Sequence, residues 1–142
     1  MKRIFAFAAI GSICSLAACA QNIKESQVPS NVKTTFQKEF PNATAKWEKE
    51  KGNYEVNFKK DGKTMSALIN KEGAIIETET DIATNELPQT VLSYLKEHYK
   101  GAKVTEAAKI VNEKGELNYE AEVNGKDVMF DANGKFIKEV KD

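Results

Sequence analysis

The chain of 142 residues carries 21 basic and 21 acidic residues, one histidine and two cysteines. That length suits one modest domain or two very small fused units, and the composition leaves no Cys/His metal cluster and no Gly-rich phosphate loop. Arg3 is the only arginine; without it the chain lacks the side chain best suited to bidentate phosphate or guanine recognition, which argues against nucleic acid as a partner.

Lys2 and Arg3 precede the apolar run "IFAFAAIGSICSLAA", too short to span a bilayer comfortably, and small residues follow. Residues 1–19 therefore read as an export signal. "LAAC" at Leu16 to Cys19 resembles the lipobox of bacterial lipoproteins, with Cys19 as the lipidated first residue. "ACA" before Gln21 also fits ordinary signal cleavage; the lipobox is preferred because it accounts for the cysteine. The expected location is the periplasm, anchored to the outer or inner membrane through Cys19, the alternative being a soluble periplasmic or secreted protein. Cys14 leaves with the signal, so no internal disulfide can form and stability must come from a packed core. Lys2 and Arg3 leave as well, which makes the remainder slightly acidic.

Residues 20–27 are polar and unpatterned, as a tether would be. Two similar units then follow, at 28–82 and 83–142. "VPSNVKTTF" from Val28 and "LPQTVLSYL" from Leu87 open them, and Val32, Phe36 and Phe40 recur at helical spacing, as do Val91, Leu95 and Tyr99. Pro29 and Pro88 sit where a helix start tolerates proline, and Pro41-Asn42 and Lys100-Gly101 end each helix. "NYEVNF" and "LNYEAEV" alternate apolar and polar residues as half-buried strands do. Turns fall at matching places, "KDGK" with "NGK" and "NKEG" with "DANG". Each unit is predicted to be one helix followed by about four antiparallel strands, the first at about 44–50 and 104–111. One helix on a small sheet buries little apolar surface, and joining a second copy edge to edge enlarges the core and protects a strand edge.

"FPNATAKWEKE", "YEVNFKKDGKTMSALINKEGAIIETET", "LPQTVLSYLKEHYKGAKVTEAAKI", "YEAEV" and "MFDANGKF" together resemble the PepSY-like family of beta-lactamase-inhibitor-like (BLIP-like) proteins exported by Bacteroidetes. The resemblance covers essentially the whole chain after the signal. It implies an α+β fold in two layers, a tandem repeat of a helix plus a four-stranded antiparallel sheet, a periplasmic or lipid-anchored location and no established enzymatic activity.

No constellation for chemistry stands out. His98 falls one position off the Val91, Leu95, Tyr99 stripe and reads as a surface histidine. Ser26, Ser30, Ser66 and Ser93 have no base beside them in any recognised motif. "DANG" at Asp131 lacks the remaining ligands of a calcium loop and reads as turn chemistry. "IETETDI" places Glu77, Glu79 and Asp81 on one side of a strand, where a divalent cation is conceivable but a solvated edge or linker is preferred. No metal or cofactor is expected.

Surface remains. Aligning the units pairs Trp47 with Glu106, which would turn Trp47 to the open face of the sheet; a slip of one residue would reverse it into the core, and both readings stand. Leu68 and Met129 fall opposite the Met65, Ala67, Ile69 and Val128, Phe130 stripes. Trp47, Leu68 and Met129 are thus the expected binding patch on an eight-stranded concave surface. The expected function is a non-catalytic module binding or inhibiting an exported protein or peptide; the alternatives are a self-associating structural component and, least favoured, a hydrolase using carboxylates alone.

Overall fold

The computed structural model describes residues 21–141. The expected export signal at 1–19 and the expected lipidation site at Cys19 lie outside the described residues. The strands are β1 (Gln21–Ile23), β2 (Lys46–Glu50), β3 (Asn53–Lys60), β4 (Lys63–Ile69), β5 (Ile75–Ile82), β6 (Val104–Asn112), β7 (Leu117–Val123), β8 (Lys126–Asp131) and β9 (Phe136–Lys141). They form one antiparallel sheet in simple chain order. Helix α1 (Ser30–Glu39) lies between β1 and β2 in the chain, and α2 (Gln89–His98) between β5 and β6.

Both helices bury the stripe that their periodicity marks. Val32 and Phe36 of α1 pack with Trp47, Val56, Phe58, Ala67 and Ile69, and Val91 and Leu95 of α2 pack with Ala107, Ala121, Val123, Val128 and Phe130. The two cores share one side of the sheet. Residues directly opposite across a ladder share a face, and the ladder from Ala67 through Thr78, continuing by alternation to Ile82, meets Ala107.

The expected tether is part of the sheet: β1 pairs with β2, Ile23 standing opposite Trp47 and packing against the first core. Three residues are too few to show a period, which hides this strand in the sequence. Physically it partners the outer backbone groups of β2 that would otherwise form an open edge.

Two turns dock on the N-terminal halves of the helices. Thr35 Oγ1 donates to the Gly73 carbonyl at 2.7 Å and Asn31 Nδ2 to the Lys71 carbonyl at 2.8 Å, while Thr90 Oγ1 donates to the Asn133 carbonyl at 3.2 Å. Gly134, at φ +79°, approaches so closely that a Cβ there would stand 1.9 Å from Thr90 Oγ1. Gly134→Ala is therefore expected to lower unfolding stability by about 2–4 kcal/mol, through left-handed backbone strain and displacement of α2. Gly125→Ala meets open space at a similar φ; in chemical denaturation it should lose about 1 kcal/mol.

Candidate functional site: the sheet face opposite the helices

Among the described residues no helix covers the other side of the sheet. Its positions follow from the register: Glu48 opposes Glu55, Glu55 opposes Leu68, Leu68 opposes Glu77, and Ser66 opposes Glu79. Beyond β5, Glu79 opposes Ile110, Ile110 opposes Asn118, Ala108 opposes Glu120, Glu120 opposes Met129, and Met129 opposes Lys138. Leu68 and Met129 are brought to this one face, as expected, and both are half-buried.

Trp47 is not there. It is 4 % exposed, packed beneath α1 with its ring edge-on to Phe36 at a centroid distance of 5.5 Å. Of the two readings open to the sequence, the core is the one the structure adopts, and Trp47 leaves the binding patch. Trp47 opposes Val56 of β3, and the residue in the same relation in the second half is Ala107, opposing Ala121 of β7. The alignment to Glu106 was one residue out because β6 carries an irregularity between Val104 and Glu106, which shifts the period of two.

Glutamates dominate the centre of the face. Glu50, Glu55, Glu77 and Glu79 are each no more than 5 % exposed, and with Ser66 and Leu68 they line one small void. This corrects the reading of "IETETDI": β5 is the fifth of nine strands, paired on both sides, and Glu77 and Glu79 are interior rather than on a solvated edge. Burial pushes the Glu55 carboxyl up to about 7, reinforced by Glu48 and Glu50 and opposed by a hydrogen bond from Asn57. Burial likewise pushes Glu77 up to about 8, with Glu120, Glu55 and Glu50 adding to it and Lys138 opposing. Glu50 is raised by burial too, against the Lys51 ammonium 3.8 Å away.

Burial also shows the shape: Ala108 and Ile110 are no more than 2 % exposed on this side of the sheet, where the described residues place no helix above them, so the sheet curls about this face. The sequence places Glu55 on the polar side of "NYEVNF", but alternation says nothing of curvature; Glu50 and Glu55 were missed for that reason.

The remaining sequence candidates have plain settings. His98 is exposed and stacks on Tyr94 at a centroid distance of 4.1 Å. Asp131 Oδ1 accepts from the Asn133 and Lys135 amides, both at 2.9 Å, which is the turn chemistry expected of "DANG". Among the described residues no group of three His, Cys, Asp or Glu side chains is arranged to hold a metal ion, and no helix is long and apolar enough to cross a membrane.

Comparison with known proteins agrees with this architecture. A BLIP-like protein from Bacteroides fragilis is 27% identical, with a TM-score of 0.61 over 78% of this chain and 84% of that one. A DUF2874-family protein from Bacteroides ovatus is 24% identical, with a TM-score of 0.70 over 78% and 85%. A Bacteroides eggerthii structure described as "putative periplasmic proteins" is 16% identical, with a TM-score of 0.73 over 79% and 87%. No curated protein matches the sequence. The profile of the family described as "Putative beta-lactamase-inhibitor-like, PepSY-like" matches residues 15–77 and 61–138, so the nine-stranded sheet with its two helices is a BLIP-like fold and the chain belongs to the PepSY-like family.

Proposed function

We propose that this protein is a non-catalytic binding module of the bacterial envelope, held in the periplasm by a lipid on Cys19, that takes an exported protein or peptide on its concave sheet face. We further infer that it is a two-layer tandem of helix-plus-four-strand units at 28–82 and 83–142. The matching order of α1 with β2 to β5 and α2 with β6 to β9 supports this reading. One observation carries the functional proposal: the concave face has Leu68 beside buried glutamates and Met129 between Glu120 and Lys138, a combination that adds nothing to a helix-side core and suits a partner with apolar and basic groups.

The test is retention of a purified exported protein, first recovered on the immobilised full-length chain from envelope extract. Met129→Lys should weaken its binding about tenfold or more, by replacing an apolar contact on the face with a charge beside Lys138. Unchanged affinity would remove the face assignment.

The second reading is a self-associating structural component. It draws on β9, the last strand of the sheet, where Ile137 is 49 % exposed. Sedimentation separates the two: dimers that form without partner and are lost in Ile137→Lys would favour self-association.

A further inference from the structure

The acidic centre of the concave face is more specific than a charged surface. Glu50, Glu55, Glu77 and Glu79 come from β2, β3 and β5 and meet around one void. Glu50, Glu55 and Glu77 each hold one buried carboxyl oxygen with no hydrogen-bond partner among the described residues. A buried carboxyl oxygen without a donor is costly once the group ionises, and the remedy for the ionised form is a donor that also brings positive charge. Lys51 does not fill that role: at 3.8 Å from Glu50 it is beyond hydrogen-bond distance, and nearly half of it is exposed at the rim.

Size and geometry narrow the donor. The void leaves about 10 Å³ for the centre of a water-sized group, room for one such group. A planar guanidinium is larger. No three of these carboxylates are placed to hold a metal ion, whose oxygen ligands must stand at about 2.0–2.6 Å, closer than the acceptors of an ammonium. An ammonium is compact and carries three N–H donors, which matches in number the unpartnered oxygens of the lining residues Glu50, Glu55 and Glu77. Ser66 and Leu68, both half-buried, form the rest of the lining.

Resting on the sheet-face reading, we infer that this void receives the ammonium group of a lysine presented by the bound protein. The lysine stem would lie against Leu68 and its three N–H bonds would go to Glu50, Glu55 and Glu77. The chemistry recognised is thus an exposed lysine on a loop or strand narrow enough to enter a concave sheet.

The experiment is an NMR titration of the full chain at pH 8.5 with N-acetyl-lysine-methylamide, beside its Nε-acetylated form, N-acetyl-arginine-methylamide and calcium chloride. Saturable shifts at the Glu55, Ser66, Leu68 and Glu77 amides with the lysine compound, absent with the acetylated one and weakened about tenfold in Glu77→Gln, are the expected result. A response to calcium alone, an equal response to the arginine compound, an unchanged response in Glu77→Gln, or no saturable response would each overturn the assignment. Both glutamine variants retain side-chain volume, and Glu55→Gln provides a second check should Glu77→Gln fold poorly. A partner that loses affinity in Met129→Lys but binds both glutamine variants as wild type would overturn the lysine site and leave the sheet-face reading standing.

Discussion

Glu77→Gln is expected to stabilise the protein at pH 8 by roughly 3–4 kcal/mol and to change its stability little at pH 4. The sign follows from the direction of the shift. In the unfolded chain the Glu77 carboxyl loses its proton near the ordinary value of 4.5, whereas burial in the fold keeps it protonated until about 8. Below 4.5 both states hold the proton and its burial carries no ionic penalty. Between 4.5 and about 8 the unfolded state gains by ionising and the folded state does not, so stability falls as pH rises, at about 1.4 kcal/mol per pH unit, and levels off above the folded value. Glu55, pushed up to about 7, adds a loss of the same sign over a narrower window. Glutamine fills the same volume without a charge to desolvate, so the variant removes the slope due to Glu77. Denaturant midpoints at pH 4, 6 and 8 measure it. A wild-type stability that is flat or rises over this range would show that Glu77 is ionised and compensated in the fold.

Trp47→Ala should destabilise the fold by about 3–5 kcal/mol, lowering Tm by roughly 10–20 °C, because it empties a core site beneath α1. The indole sits between Phe36 and the β2–β3 ladder, and its Nε1 has no hydrogen-bond partner among the described residues. Trp47→Phe should consequently cost much less, about 1–2 kcal/mol, since it keeps most of the apolar contact and deletes the orphaned N–H. Thermal unfolding of the pair distinguishes the core position from an exposed anchor. An exposed tryptophan would leave both variants within about 0.5 kcal/mol of wild type.

The same residue shows where the sequence stops being informative. Val32, Phe36 and Phe40, with Val91, Leu95 and Tyr99, mark both helices because each falls on one side of a 3.6-residue period, and the helices lie where that period places them. The turns at Asn70 and Asp131 are equally legible, since their side-chain oxygens close the turn locally. Strand faces depend on an unbroken period of two, and the irregularity after Val104 breaks it, which is why Trp47 was matched to Glu106 instead of Ala107. β1 escaped because a three-residue strand has no period to read. The glutamate centre depends on curvature, a property of nine strands together. Leu68 and Met129 were legible as residues of the open face, but nothing local to Glu50, Glu55 or Glu77 distinguishes them from solvated glutamates.

The most direct test of the concave face as the binding surface compares one recovered exported protein on immobilised wild type, Met129→Lys and Lys96→Glu, the last on the exposed side of α2. Retention by wild type and Lys96→Glu with loss on Met129→Lys is the expected result. Equal retention on all three, loss confined to Lys96→Glu, or nothing retained above background would contradict it.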